Sequence, residues 1–592
     1  VSTAEAAGPS AVHHPLAARR LRTGASRWAD LVPLLAYGAV AFLIFLPALI
    51  TPNSRIIGWP GDAQQTMWFL RWTPWAISHG QNPLLTTHLN HPAGVNLMWN
   101  SLAPVLGVVL WPVSAAAGLV VSYNLLVGGE IVLAAWCAYL AIRRLVRSRA
   151  AAACGGLMYG FSPYLMAHAH GHAKVSFALL PPLLLILLHE ILVVQRRRAW
   201  LAGTALGALL TTQLLIYEEG VVLALVAGSA GVAVLALTNR SELRRRRSHA
   251  LRALLWAGAT ACVLATFPLA VQLLGPNHLS GTVPGGDVYV TDVANLVIPT
   301  DFQMVAPPPA DVVSRRFSGN EVENAAYLGV PLLATVAVVA LRRRSQPVVR
   351  WALATGGVLL LLSMGPQLHV GGHVSRLPLP WRALQAIPLL GSALPGRLFV
   401  YVDLLAGLLL AVFVQAAVRS PRGRGRWVTA VGLLGLCIVT LAPRLPFPSS
   451  AVEVPSFFTG TGVAAVPPGS VVLVAPFVHD GPSDPPMLWQ AVADMRFSMP
   501  EGYFIGVRPG GVRVDGPRRS LTASLMIAIQ SGHTPRLTPP LRSRVIAELG
   551  RWHVGTVIVG PMPHEDLMHR FVTDLLATSP RKVGGVLVWA RR

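Results

Sequence analysis

Apolar stretches of helix length recur along this chain, and short arginine-rich tracts separate them. The first stretch covers residues 31–50, and a run of about 20 apolar residues suffices to cross a bilayer as a helix. With 53% hydrophobic residues, 12% charged residues and a mean hydropathy of +0.54, the chain reads as a polytopic α-helical membrane protein.

The formal charge of +23 has a local explanation. The basic residues gather in tracts between apolar stretches: Arg143, Arg144, Arg147 and Arg149; Arg196 to Arg198; Arg244 to Arg247; Arg342 to Arg344; and Arg419 to Arg426. This is the positive-inside pattern of cytoplasmic loops, and it accounts for the charge without nucleic acid. Arg19, Arg20, Arg22 and Arg27 precede the first stretch, which puts the N-terminus inside. That stretch is too long for a signal-peptide core and reads as an uncleaved anchor.

Residues 102–121 would make a second crossing, but Arg143 to Arg149 would then fall outside. Pro104, Pro112 and Gly118 also suit a membrane-embedded segment that does not cross. Further crossings are expected at 124–142, 150–166, 175–194, 200–216, 220–237, 253–274, 325–341, 351–364, 398–418 and 428–441. With the first, these make about eleven transmembrane helices, every arginine tract on one side and the C-terminus outside. Cys137, Cys154, Cys262 and Cys437 all lie in apolar segments and give neither a disulfide framework nor metal spacing.

Three units follow: a cytoplasmic tail at 1–29, a membrane domain at 30–445 with an outer loop at 51–121, and an outer domain at 446–592. From about residue 447, apolar strands such as 470–476, 556–560 and 583–590 alternate with helical stretches at 486–497, 521–530, 541–552 and 565–577. About 145 residues are ample for one α/β domain. It holds no nucleophile elbow, phosphate loop or metal motif, and His479-Asp480 reads as a turn.

Chemistry-bearing residues converge on the outer face. Asp62 follows the first crossing, at the membrane–water boundary among aromatics. A carboxylate there suits a base acting on a lipid-linked substrate; the alternative is a helix cap ahead of residues 63–75. His168, His170 and His172 recur at every second residue, which suits an extended loop that contacts a headgroup phosphate or holds a divalent metal. Arg397 follows Pro-Gly at the outer start of a crossing, as a phosphate clamp or an interfacial anchor. Glu218 and Glu219 close another outer turn, and the loop 275–324 carries Glu323. Glu130 and Asp403 fall within the bilayer, where they must face protein or water; Glu190 lies near cytoplasmic arginines and reads as paired.

An inside N-terminus, one crossing, a long outer loop with an acidic residue near its start, and many further crossings resemble the GT-C superfamily of membrane glycosyltransferases. Gly61-Asp62, His91-Pro-Ala-Gly94, Phe161-Ser-Pro-Tyr164, Tyr327-Leu-Gly329, Met364-Gly-Pro-Gln-Leu-His369 and Leu394-Pro-Gly-Arg397 resemble a bacterial branch of it. The resemblance implies transfer of a sugar from a polyprenyl-phosphate donor to an extracytoplasmic glycan, lipid or protein, at the cell membrane and with inversion. Asp62 would be the general base. Arg397, His168, His170 and His172 would meet the donor phosphate. Trp59, Arg71, Glu323 and Tyr327 would touch substrate. Asp62 stands alone where some members carry paired acids, and histidines replace an acidic metal motif, so no cofactor follows and a divalent metal stays open. Two other classes compete: a transporter or lipid flippase lined by Glu130, Asp403 and Gln213, and a membrane scaffold that binds through its outer domain.

Overall fold

The computed structural model describes residues 28–279, 286–387, 389–418, 424–478, 485–507, 513–516 and 520–591. Arg19, Arg20, Arg22, Arg27, Arg419, Arg422 and the His479-Asp480 pair lie outside the described residues.

Apolar periodicity becomes helix nearly throughout the membrane region. Helix α1 spans Leu31–Ile44, α2 Asp62–Ser78, α3 Pro104–Leu145, α4 Arg149–Gly160, α5 Leu180–His189, α6 Ala199–Leu214, α7 Glu218–Thr238 and α8 Arg240–Leu274. Four more follow: α9 Gly329–Arg343, α10 Pro347–Ser363, α11 Phe399–Val418 and α12 Arg424–Leu441. Among the described residues, five helical segments are long and apolar enough to cross a membrane: Pro104–Leu145, Ala173–Val194, Glu218–Thr238, Arg240–Leu274 and Pro395–Val418. Leu31–Ile44, Pro347–Ser363 and Val428–Leu441 are shorter apolar helices. Leu35, Phe42, Leu255, Phe267 and Leu274 stay exposed. An apolar surface of that kind is stable against lipid rather than water.

Residues expected as two units, 102–121 and 124–142, lie in α3, which bends where Gly118 takes φ 87° and ψ 171°. Only a residue without a Cβ adopts that conformation at little cost, so the break falls at the glycine. The segment expected at 150–166 is also interrupted: α4 stops at Gly160, and Ser162 caps a new short helix, Pro163–His168, by accepting from the Leu165 amide.

The bundle has two chemically distinct ends. α7 runs from Glu218 toward Arg240, and α11 runs from beside Arg397 to Gln415, whose side chain accepts from the Arg147 and Ser148 amides. Gln195 donates to the Arg246 carbonyl. The described arginine tracts at 143–149, 196–198 and 244–247 therefore gather at one end of the bundle, and Asp62 at the other.

The segment after α1 and the C-terminal region meet at the Asp62 end. Arg55–Ile57 pairs antiparallel with Ser449–Ala451. Beyond it lies a four-stranded sheet in the spatial order Arg581–Val583, Val586–Ala590, Val554–Val559, Val471–Ala475, with the last pair parallel. Every residue of Val471–Ala475 is buried although the strand stands at the sheet's edge, because the chain at Ser498 covers that edge and accepts from the Val472 amide. The segment after this strand docks on α2: Trp68 Nε1 donates to Gln490 Oε1 at 2.6 Å, Gln65 Nε2 to the Tyr503 carbonyl at 2.8 Å, and Arg71 pairs with Asp494.

Candidate active site

Asp62 is the first residue of α2, after Gly61, so its carboxylate sits at the positive end of the helix. It does not cap: no side-chain bond closes this N-terminus, and the carboxylate accepts no hydrogen bond from the described residues. Its side chain keeps 31% exposure, and Oδ2 lies 3.8 Å from His172 Nε2.

From there a chain of polar groups runs inward. His172 Nδ1 faces Glu323 Oε1 at 3.9 Å, and His168 Nε2 faces Glu323 Oε2 at 3.5 Å. Arg397 Nε reaches both Glu323 oxygens at 3.1 and 3.2 Å. Its Nη1 donates to Glu219 and to the Tyr217 hydroxyl, and Tyr217 donates to Glu219. Glu219 Oε1 also accepts from the Leu394 amide. The acid Glu219, in the first turn of α7, thus fixes the Pro-Gly-Arg turn that presents Arg397.

Burial sets the charges. Desolvation alone would raise the Glu323 carboxyl, but Arg397 and His168 outweigh it and hold the group well below the usual carboxylate range. Burial pushes the His172 imidazole below its ordinary value, against the pull of Asp62. His168 is fully buried, and its Nδ1 donates to the Tyr164 carbonyl at 2.8 Å. In the neutral ring, Nε2 then carries a lone pair aimed at a carboxylate oxygen. Two acceptors attract at that distance only across a proton on Nε2 or a metal ion. His168, His172 and Glu323 bring their ligand atoms within 4.8 Å of one another. Two imidazoles and a carboxylate, with His168 oriented by a carbonyl behind it, suit a divalent transition metal.

The other expected residues take different places. His170 turns away from Asp62: its Nδ1 donates to the Met166 and Ala167 carbonyls, and its ring stacks on Phe302 at 4.5 Å. Its carbonyl accepts from the Trp59 amide, and a Cβ on the preceding Gly58, at φ 81°, would collide with that carbonyl at 2.3 Å. His170 is a brace for the segment after α1, and Trp59 packs on its ring. Burial takes the His170 imidazole down to about 4. Arg71 pairs with Asp494, and Tyr327 is buried beside Gly329. The alternation of the histidines suited one extended loop; in fact His168 ends a helix and His172 precedes another, Ala173–Ser176, which separates their directions.

Lys174 escaped assignment from the sequence, although it follows the histidines. Its Nζ lies 3.3 Å from Gln65 Oε1 and 3.4 Å from the Asn100 carbonyl, over the Phe69 ring. Gln65 stands one turn after Asp62 on α2, so Lys174 covers the same helical face. Arg397 commits its fork to Glu219, Glu323 and Tyr217, whereas Lys174 meets no carboxylate at ion-pair distance among the described residues.

The family described as a domain of unknown function (DUF6311) matches residues 34–442. No curated protein matches the chain in sequence. Among solved structures, the chain is similar to arabinofuranosyltransferase AftD from mycobacteria, at 14% identity and a TM-score of 0.56, over 95% of this chain and 41% of that one. It is similar also to the oligosaccharyltransferase of Archaeoglobus fulgidus, at 12% identity and a TM-score of 0.50, over 90% of this chain and 69% of that one. The chain thus spans about two fifths of the length of the mycobacterial enzyme. The fold is that of the GT-C membrane glycosyltransferases, as the sequence motifs suggested.

Proposed function

The chain belongs to the DUF6311 family, whose description names no reaction, and we propose that it is an inverting membrane glycosyltransferase. It moves a sugar from a polyprenyl-phosphate donor to a glycan, lipid or protein acceptor outside the cytoplasm. The observation that carries this reading is the Asp62 carboxylate: open, uncapped, and set beside a buried cluster of acids, histidines and cations in a GT-C fold. The neighbours act as an arabinofuranosyltransferase and an oligosaccharyltransferase, which favours glycosyl transfer over a transporter or a scaffold.

Asp62 takes the proton from the acceptor hydroxyl while that oxygen attacks the anomeric carbon. The bond to the donor phosphate breaks, its electron pair leaves with the polyprenyl phosphate, and the carbon inverts. Lys174 meets the phosphate as it gains charge. Arg397 holds Glu219 and Glu323 in place rather than clamping the donor. A divalent ion held by His168, His172 and Glu323 would supply Lewis-acid stabilisation at the phosphate.

In the membrane, this reading keeps the N-terminus cytoplasmic, about eleven crossings in the cell membrane, residues 102–121 embedded without crossing, and the C-terminal domain outside. The test is turnover by purified protein with a panel of polyprenyl-phosphate sugars, wild type against Asp62→Asn. The variant keeps size and most hydrogen bonding but loses the base, so turnover drops by about two to four orders of magnitude while donor binding survives. Unchanged transfer by the variant would remove Asp62 from the reaction.

A further inference from the structure

Away from the site, α5, α7, α10 and α11 line a partly open apolar cleft with a cavity volume of about 110 Å³. Leu184, Leu188, Gly231, Trp351, Leu359 and Leu405 are among its walls. Along α10 it runs from Pro347 to Leu359, a rise of about 18 Å at 1.5 Å per residue. That length and apolar lining let one face of a hydrocarbon chain lie along the cleft.

One end of this cavity is polar and unsatisfied. His189 lines it at 8% exposure, and both ring nitrogens are buried without a hydrogen-bond partner. A buried imidazole with neither nitrogen bonded is costly unless a ligand completes it. Arg144, Glu190 and Arg246 all stand close enough to act on His189 electrostatically. Arg246 is answered by Glu242, and the Glu190 carboxylate accepts from the Arg196 and Arg197 amides. Arg144 meets no carboxylate at ion-pair distance among the described residues. A partnerless imidazole, a guanidinium that feels Glu190 without an ion-pair contact, and an apolar cleft thus occur together at the arginine end of the bundle, opposite Asp62.

We propose that this cavity holds an acyl chain of an anionic phospholipid from the leaflet on the arginine side. His189 bonds to the ester or phosphate oxygens, and Arg144 faces the phosphate. Basic pockets between transmembrane helices bind anionic headgroups by the same combination. The far end of the cavity reaches Tyr401, four residues along from Arg397, so a polyprenyl tail descending from the catalytic end is the rival occupant. The groups that need a partner lie at the arginine end, and they favour the phospholipid. The inference does not depend on the transfer reaction.

The experiment is native mass spectrometry and melting of the full chain, taken from bilayers of phosphatidylcholine with and without phosphatidylglycerol. The wild type should retain phosphatidylglycerol over phosphatidylcholine by about tenfold and melt higher in its presence. The double variant Arg144→Gln, His189→Phe should lose that preference while melting unchanged in phosphatidylcholine alone. Gly231→Leu, which fills the slot, should lose retention of both lipids; since it can also fail to fold, the double variant decides. Equal retention of the two lipids by the wild type would overturn the proposal. So would a preference that survives in the double variant, or displacement of the bound lipid by undecaprenyl phosphate.

Discussion

Arg397 and Glu323, 74 residues apart in sequence, form a buried ion pair in which Nε reaches both carboxylate oxygens, at 3.1 and 3.2 Å. The pair ties the loop before α9 to the turn before α11. Glu219 holds Arg397 from its other side.

Arg397→Gln should therefore act on the fold before it acts on the donor. It leaves Glu219 and Glu323 buried without their cation, a loss of about 3–5 kcal/mol. Arg397→Lys restores the charge but not the fork, and should fall between. Melting in detergent checks this. A normal melting temperature for Arg397→Gln, with weakened donor binding, would return the arginine to the phosphate.

Lys174→Gln should do the opposite. Removing one charge-assisted contact of about 1.5–3 kcal/mol weakens the donor about ten- to hundredfold. The melting temperature should barely change, because the lysine's partners are the neutral Gln65 and Asn100 oxygens. Donor titration against melting separates the two residues, and equal donor affinity in the variant would dismiss Lys174.

The facing acceptors His168 Nε2 and Glu323 Oε2 give a metal test with its own readout. Titrating the purified protein with Mn²⁺ or Zn²⁺ should give one site, and His168→Ala should abolish it. His170→Ala should leave metal binding intact, because that ring stacks against Phe302 and Phe447 instead. Absence of binding by the wild type would mean that a proton on His168 bridges the pair.

Stability should depend on pH through His88 and His170, whose imidazoles burial takes from 6.5 down to about 4. In the unfolded chain both take up a proton as pH falls below 6.5, while in the fold they resist it. Their contribution is thus full above pH 6.5 and is lost as pH falls toward about 4. The melting temperature should hold from pH 8 to 7 and then decline, and His170→Phe should soften the decline. A flat profile down to about pH 4.5 would contradict the assignment.

The C-terminal domain should be anchored through Gln490, which is fully buried. It accepts from Trp68 and donates to the His88 and Phe497 carbonyls at 2.9 and 2.8 Å. Gln490→Leu strands these groups at about 1–3 kcal/mol each. Limited proteolysis should then cut faster between residues 446 and 592, and an unchanged digestion rate would argue against the anchor.

Helices, the two ends of their bundle and the segment after α1 follow from local pattern: apolar runs of fixed length, and arginines that stay on one side of a bilayer. The sequence alone therefore determined the class of fold, the segment holding Asp62 and the strands Val471–Ala475 and Val554–Val559, but not Ile505–Val507 and Arg513–Asp515. Pairing between distant segments has no such local signature. Nothing near Glu323 announces Arg397, nothing near Glu219 announces the Leu394 amide as its donor, and the alternation of His168, His170 and His172 suggested one shared direction. Only the tertiary structure decided those matters. Gly58 lets a backbone close on His170 and turns that ring into the packing, two short helices aim His168 and His172 at Glu323, and the burial of Arg397 between two acids leaves Lys174 as the cation beside Asp62.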